Sequence, residues 1–257
     1  MQAEIVTIGT ELLLGQIVNT NATEMAQILA ENGIDLFQMT TVGDNPGRIC
    51  RALETALNRA NVILVSGGLG PTEDDLTREC VAELTKRPLE FREDLYQRLV
   101  ERFRRARRPL TDNNKKQAYV PAGAIVIENP HGTAPGLIVE EARGVLVCMP
   151  GVPHELKAML VEKVIPYLRS KFGLKGLVHY RVLKVCGLGE SQVDAAIGDL
   201  IRVSQNPKIG LLASADGIKI RLSAKADPLR EANRLIEPLG SEIRRRLPGL
   251  VMGVDQD

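Results

Sequence analysis

VILVSGGLGPTEDDLT (62–77) runs from an unbroken apolar segment into a glycine-rich turn and two adjacent carboxylates, Asp74 and Asp75. Four apolar residues bounded by small ones read as a strand buried on both faces. The glycines after it predict a tight strand-to-helix junction, with Asp74 and Asp75 in the first turn of a helix over about 75–86. Glycine lets backbone approach an anionic ligand, and carboxylates there would hold a metal rather than repel phosphate. The same residues equally suit a structural turn with an aspartate N-cap. The loop alone does not choose between a phosphate site and a turn.

Upstream, EIVTI (4–8) reads as a short strand entering GTELLLGQIVNTN (9–21). A helix starts near Asn19–Asn21, with Ala22, Met25, Ala26 and Leu29 at helical spacing. A second strand covers Leu36–Thr41. DNPGR (44–48) then caps a helix with Pro46 at its first position, and Ile49, Leu53, Ala56, Leu57 and Ala60 share one face. Strand–helix–strand–helix–strand within 66 residues implies parallel strands joined by helical crossovers. Ligands of such sheets bind beyond the carboxyl ends of the strands. The loops after 4–8 and 62–66 both fall at that end and are expected to face one cleft.

Downstream, a helix over about 92–107 ends in the basic run RFRRARR (102–108), which suits the negative end of a helix dipole and a solvated face. Strands AIVI (124–127) and GLIVE (136–140) flank NPHGTAPG (129–136). GVLVC (144–148) leads into MPGVPHEL (149–156) and a helix with Leu156, Met159, Leu160, Val164, Tyr167 and Leu168 on one stripe. Composition turns polar and glycine-rich at KFGLKG (171–176), dividing the chain into domains at 1–170 and 171–257. The second domain reads β-α-β-β-α: HYRVLKV (179–185), a helix over 190–203, KIGLLA (208–213), the alternating GIKIRLSA (217–224), and a helix over about 228–247. The two middle strands pair across the turn SADG (214–217).

At 44% apolar and 25% charged, the composition is that of an ordinary soluble domain with a real core. A net charge of +1 gives no global field to attract nucleic acid or an acidic membrane. Cys50, Cys80, Cys148 and Cys186 are scattered, with no metal-ligand spacing, as in reduced cytosolic proteins. No run of 18 apolar residues occurs, and the sequence opens on a strand pattern rather than a signal peptide. The chain reads as cytoplasmic.

Five polar, glycine-rich loops follow strand-like segments: 9–21, 66–77, DNNKKQA (112–118), 129–136 and 149–156. In these motifs and their order, residues 1–170 closely resemble the N-terminal domain of the CinA family, which is similar to molybdopterin-binding domains of the MoaB/MogA type. Residues 171–257 resemble the KH-like domain that follows it. The resemblance implies a three-layer α/β domain with a mostly parallel sheet, followed by a small two-layer α/β domain. It implies metal-dependent hydrolysis of the pyrophosphate bond of ADP-ribose, giving AMP and ribose 5-phosphate, by a homodimer. The deamidase domain of longer members has no counterpart here, so its activity is not carried over, and a separate deamidase partner stays open. One rival reading is a molybdopterin-handling protein. Another is an RNA-binding module, but GLGE (187–190) is not the GxxG backbone clamp, and aromatics are only 3% with no Trp for stacking. The expected partner is a small nucleotide, not nucleic acid or membrane.

Pyrophosphate repels nucleophiles, so its hydrolysis needs a divalent cation, donors and an oriented water. Asp75 aligns with the aspartate that follows the glycine-rich turn of the molybdopterin-binding relatives and is the first choice as metal ligand and catalytic group. Asp74 either ligates beside it or caps the helix. Glu11 is a ligand, the base that orients water, or a helix-start carboxylate. Lys116, in the matching NNKKQA motif, is the cation for phosphate charge, with Lys115 facing solvent. Asn113 and Gln117 read sugar hydroxyls or a base edge, or tie down their own loop. Gly67, Gly68 and Gly70 give backbone access, and Thr10, Thr72 and Thr133 supply donors. Pro150, Gly151 and Pro153 form a wall, with Glu155 a weaker metal or ribose contact. Asn19 and Asn21 are helix caps first and ligand contacts second; His131 and His154 are wall residues. Magnesium suits an oxygen-only ligand set, as manganese or cobalt would. No GxSxG elbow, complete Walker A motif or Nudix-type acidic helix occurs.

Overall fold

The computed structural model describes residues 1–214 and 217–256 and divides into two compact units: Met1–Ala30 with Ile34–Gly173, and the chain from Leu174 onward with Glu31–Gly33. The first unit runs β1 (Gln2–Ile8), α1 (Thr10–Leu13), α2 (Thr20–Glu31), β2 (Asp35–Val42), α3 (Pro46–Leu57), β3 (Val62–Ser66), α4 (Thr77–Leu84), β4 (Leu89–Phe91) and α5 (Glu93–Arg105). It continues through β5 (Tyr119–Pro121), β6 (Ile125–Ile127), β7 (Gly136–Glu141), β8 (Gly144–Met149), α6 (Pro153–Met159) and α7 (Ile165–Phe172). Six strands form one sheet in the order β2-β1-β3-β8-β7-β6. β2, β1, β3 and β8 are parallel, as helical crossovers require; at one edge β7 runs antiparallel to β8, and β6 antiparallel to β7.

The apolar run in β3 decides this arrangement. Ile63 and Val65 join a core with Ile49 and Leu53 of α3, Leu137 of β7 and Leu146 of β8. Val62 and Leu64 point the other way and are equally buried, so both faces of the central strand are covered. α3 starts as read: Pro46 holds its first position, and the Asn45 side chain accepts the Arg48 N–H. α7 ends at Gly173, whose φ of +60° is the left-handed cap conformation that glycine adopts without strain.

Three expectations are corrected. The helix after the glycine-rich loop begins at Thr77, so Asp74 and Asp75 lie in the turn before it rather than in its first turn. DNNKKQA is a 3-10 helix preceded by α5 and coil, not a loop following a strand. β4 and β5, which periodicity does not mark, pair as a separate two-stranded ribbon.

The second unit is β9 (Leu177–Val185), α8 (Glu190–Val203), β10 (Lys208–Ser214), β11 (Gly217–Ala226), α9 (Leu229–Arg246) and β12 (Val251–Gln256). Its antiparallel sheet has the order β10-β11-β9-β12, so the β-α-β-β-α reading gains a final strand. Leu183, Val185, Ile218, Ile220 and Leu222 alternate onto one face and meet Val193, Ile197, Ala232, Ile236 and Ile243 of the two helices. β10 and β11 pair from Lys208↔Ser223 to Ser214↔Gly217; Ala215 and Asp216 of the expected SADG turn lie outside the described residues. Among the described residues no helix is long and apolar enough to cross a membrane.

Candidate functional site

β1, β3 and β8 end side by side, and the loop after β3 is stitched to both neighbours. Gly67 donates its N–H to the Met149 carbonyl at 3.0 Å. Its φ of +102° and the closeness of the Ile8 carbonyl oxygen leave no room for a Cβ. Thr77 ties the far end of the loop back, its hydroxyl to the Gly67 carbonyl at 2.8 Å and its N–H to the Gly68 carbonyl at 3.1 Å. Beneath the loop lies Arg78, only 1% exposed. Its guanidinium donates to the carbonyls of Leu69 and Gly70, while its Nε has no partner. Because peptide units are trans, drawing the Leu69 carbonyl inward aims the Gly70 N–H the opposite way. Burial pulls the Arg78 guanidinium below its ordinary range, against the opposing fields of Glu79 and Asp75.

Asp75 closes the turn. Its Oδ2 accepts both the Thr72 N–H at 2.9 Å and the Thr72 hydroxyl at 2.5 Å, leaving Oδ1 its lone pairs. The carboxylate occupies the space a side chain at Gly70 would need. α4 has no side-chain N-cap, which corrects the capping alternative for Asp74. Asp74 is exposed and held below the usual carboxylate range, first by the Thr72 hydroxyl, then by its own backbone N–H, with a smaller pull from Lys116. Lys116 reaches this turn from a distant segment, donating to the Thr72 carbonyl at 3.0 Å and lying 3.5 Å from Glu79. Its neighbour Lys115 is exposed, its ammonium 5.1 Å from the Phe91 ring centroid.

Asn19 and Asn21 part company. Asn19 caps α2, its Oδ1 accepting the Ala22 N–H at 3.1 Å and its Nδ2 donating to the Thr7 hydroxyl at 2.8 Å. Asn21 is not a cap. Its Nδ2 donates to the Gly151 carbonyl at 2.7 Å and the Ser66 hydroxyl at 3.0 Å, and its buried Oδ1 has no partner. Glu11, Asn19, Asn21, Ser66 and Gly151 line one small hollow of about 90 Å³. Thr10 is spent on the loop after β2: its N–H donates to Asp44 Oδ2 at 2.7 Å and its hydroxyl accepts the Asp44 N–H at 3.1 Å.

Gln117 is 1% exposed; its Nε2 donates to the Thr133 hydroxyl at 3.1 Å and its Oε1 has no partner. Gln117, Asn129, Gly132 and Thr133 border a larger groove of about 760 Å³ along α5. Asn129 organises that rim, donating to Glu155 Oε2 at 2.7 Å and accepting the N–H groups of His131 and Gly132. Asn113 does tie down its own loop, accepting the Thr111 hydroxyl at 2.5 Å. Of the basic run, Arg102 is more than a solvated surface charge: it clasps the same rim through the Pro130 and His131 carbonyls at 3.0 and 2.6 Å. His131 and His154 stand edge to face, ring centroids 6.1 Å apart.

These bonds close a ring of all five loops. Asn21 joins the first loop to the second through Ser66 and to the fifth through Gly151. Glu155 joins the fifth to the fourth through Asn129, Thr133 joins the fourth to the third through Gln117, and Lys116 joins the third to the second through Thr72. Ser66, Arg78, Glu79 and Asn129 escape sequence reasoning. Only Asn129, in an Asn-Pro turn signal, carried a local mark.

The chain matches the family described as "Probable molybdopterin binding domain" over residues 4–170 and the "Damage-inducible protein CinA KH domain" over 180–253. It is 44% identical to CinA-like proteins of Dictyoglomus thermophilum and Dictyoglomus turgidum, each alignment covering 98% of this chain and 61% of the relative. The chain thus spans about three fifths of the length of these curated relatives. Among solved structures it is similar to the CinA protein of Thermoplasma acidophilum, at 36% identity and a TM-score of 0.60, covering 64% of this chain and 99% of that one. With both domain matches in sequence and the five loop motifs in order, this chain belongs to the CinA family.

Proposed function

We propose that the ring of loops binds ADP-ribose and hydrolyses its pyrophosphate bond, yielding AMP and ribose 5-phosphate. The observation that carries this reading is the convergence of Lys116 with Asp74 and Asp75 on one turn, from segments about forty residues apart. A cation beside two carboxylates at a glycine-rich turn suits a phosphate anhydride bound with a metal. Among the described residues no group of three or more His, Cys, Asp or Glu side chains could hold a metal by itself. Two adjacent carboxylates, one exposed and one with an unused oxygen, fit magnesium, which takes one or two carboxylates and completes its shell with water and substrate phosphates. Manganese or cobalt suits the same donors. Asp74 and Asp75 would hold that ion, which when bound supplies Lewis acidity toward the phosphate oxygens.

The chain's own groups do the rest. Lys116 offsets phosphate charge, and the Gly70 N–H, turned outward by Arg78, offers a donor. The unpartnered Gln117 Oε1 accepts from a ribose hydroxyl or the adenine amino group, and Asn21 Oδ1 does the same in the smaller hollow. Glu11 borders that hollow and is our candidate to orient water. Chromatography of ADP-ribose incubated with the protein and magnesium, manganese or cobalt tests this. Metal-dependent release of AMP and ribose 5-phosphate supports it, and intact ADP-ribose with every metal refutes it. The family match over 4–170 favours a second reading, molybdopterin binding without turnover, which equilibrium titration with molybdopterin would separate.

A further inference from the structure

ADP-ribose has two unlike halves, and the ring of loops offers two unlike recesses. The groove along α5, about 760 Å³, has an apolar floor in which Leu95, Leu99 and Met159 are buried. At its border stands Gln117, also buried, with its Nε2 spent on the Thr133 hydroxyl and its Oε1 without a partner. An apolar floor with one unmet acceptor suits a flat heterocycle that carries an amino group. The hollow of about 90 Å³ is far smaller and includes Thr7, Glu11, Asn19, Asn21 and Ser66 in its lining. Its size and these polar groups suit the hydroxyls of a sugar rather than a purine ring.

The order of the loops puts the phosphate-binding groups between these recesses. Asn21, in the hollow, bonds Ser66, which opens the loop carrying Asp74 and Asp75. Lys116 bonds Thr72 of that loop from the segment that also carries Gln117, and Gln117 bonds Thr133 on the groove. Around the ring, the two carboxylates and Lys116 therefore follow the hollow and precede the groove. Glu11 belongs to the hollow side. Its carboxylate folds back over Gly9 at the end of β1, where an added Cβ would collide with it. Asp75 is seated over Gly70 in the same way. Glycine at both positions gives each acid a fixed place on its own loop.

We propose, on the hydrolysis reading above, that ADP-ribose lies with adenine in the α5 groove and its terminal ribose toward the hollow, so that water attacks the ribose-side phosphorus. Phosphoryl transfer keeps the attacking and leaving oxygens in line. Water delivered from the Glu11 side approaches from the ribose end. Only at the ribose-side phosphorus does that direction oppose the bridging oxygen. The bond that forms joins the water oxygen to that phosphorus, and the bond that breaks joins the same phosphorus to the bridging oxygen. The bridging oxygen departs with its electron pair as part of AMP. One water proton passes to the Glu11 carboxylate and on to solvent; the other stays on ribose 5-phosphate until it ionises. At the far end Gln117 Oε1 accepts from the adenine amino group. The reverse orientation would direct the same water at the adenosine-side phosphorus and put its oxygen into AMP.

The test is hydrolysis of ADP-ribose by the whole chain in oxygen-18-enriched water, with the products read by mass spectrometry. All of the label should appear in ribose 5-phosphate, with AMP unlabelled; label in AMP overturns the proposal. Inosine diphosphate ribose sets a 6-oxo acceptor against Gln117 Oε1, so its kcat/KM should be at least about tenfold lower than that of ADP-ribose. Equal turnover of the two overturns the assignment of the base to the groove. Glu11→Gln should lower kcat at least about a hundredfold, with KM within about threefold and the melting temperature unchanged. Undiminished kcat overturns the delivery of water from the hollow side. Intact ADP-ribose with every metal overturns the hydrolysis reading and this one with it, a result distinct from label in the wrong product.

Discussion

Replacing Asn21 by Asp tests the ring of loops at its most connected residue, with almost no change of shape. The amide donates to the Gly151 carbonyl at 2.7 Å and to the Ser66 hydroxyl at 3.0 Å. A carboxylate cannot donate to the Gly151 carbonyl and sets a negative oxygen against it, while the Ser66 hydroxyl can turn to donate to the new carboxylate. One lost bond at about 1 kcal/mol, plus about 1–3 kcal/mol for a buried acceptor left unmet, puts the cost near 3 kcal/mol at pH 7.5. For a domain of this size that is about 6–12 °C in melting temperature. The charged form carries most of the penalty, so the folded-state pKa of the new carboxyl is raised above its unfolded value of about 3.9. The penalty is therefore full at pH 7.5 and relieved as pH falls through the raised pKa, where the protonated acid can donate to Gly151 again. Urea unfolding of Asn21→Asp and Asn21→Ala against the parent at pH 7.5 and 5 isolates this, because titrations common to all three cancel. Asn21→Ala should be destabilised by about 2–4 kcal/mol at both pH values. A cost below about 1 kcal/mol for Asn21→Asp, or one that ignores pH, would mean the amide is turned over and its oxygen faces Gly151.

Lys116→Met should lower ADP-ribose turnover at least about a hundredfold, as losing a charge-stabilising donor does. It should barely move the melting temperature, because the ion pair with Glu79 at 3.5 Å is partly exposed. Gly67→Ala should destabilise the first unit by more than about 3 kcal/mol, because its Cβ meets the Ile8 carbonyl at a backbone φ of +102°; near-parental unfolding in urea would contradict this. In thiol labelling at pH 8, Cys148, pushed up to about 12 by burial, and Cys80, pushed higher still, should react only after unfolding, while exposed Cys186 reacts first.

Much of the fold was legible because burial leaves a period. VILV announced a strand covered on both faces, DNPGR announced α3, and the alternation of 217–224 announced β11. Elements without a period were missed. β4 and β5 are three residues each, and β12 is interrupted by a register shift between Val251 and Gly253. The boundary of α4 was misread for a chemical reason. Thr72 and Asp75 bond to each other across the turn, and such local side-chain bonds compete with helix formation.

The site was legible in its parts and illegible in its assembly. Glycine, threonine and paired aspartates mark a loop through their own chemistry, so each loop could be found alone. The bonds joining the loops cross 44 residues from Thr72 to Lys116 and 130 from Asn21 to Gly151, and no local pattern encodes a partner so far away. The same distance explains the reading of Asn21 as a cap, since an asparagine at a helix start is the same residue whether it serves its own helix or another loop. Arg78 was hidden by a general expectation, because charged side chains are exposed by default. Its burial, with no ion pair to it among the described residues, is costly, and its guanidinium is spent on the carbonyls of Leu69 and Gly70. A fold that bears that cost to hold two peptide units of one loop is specifying the loop. Arg78→Met, which removes an unpaired buried charge at little change in volume, should therefore leave global stability within about 2 kcal/mol of the parent. It should also speed hydrogen exchange across residues 67–77. A large global loss with unchanged exchange there would instead make Arg78 a core residue with no claim on the site.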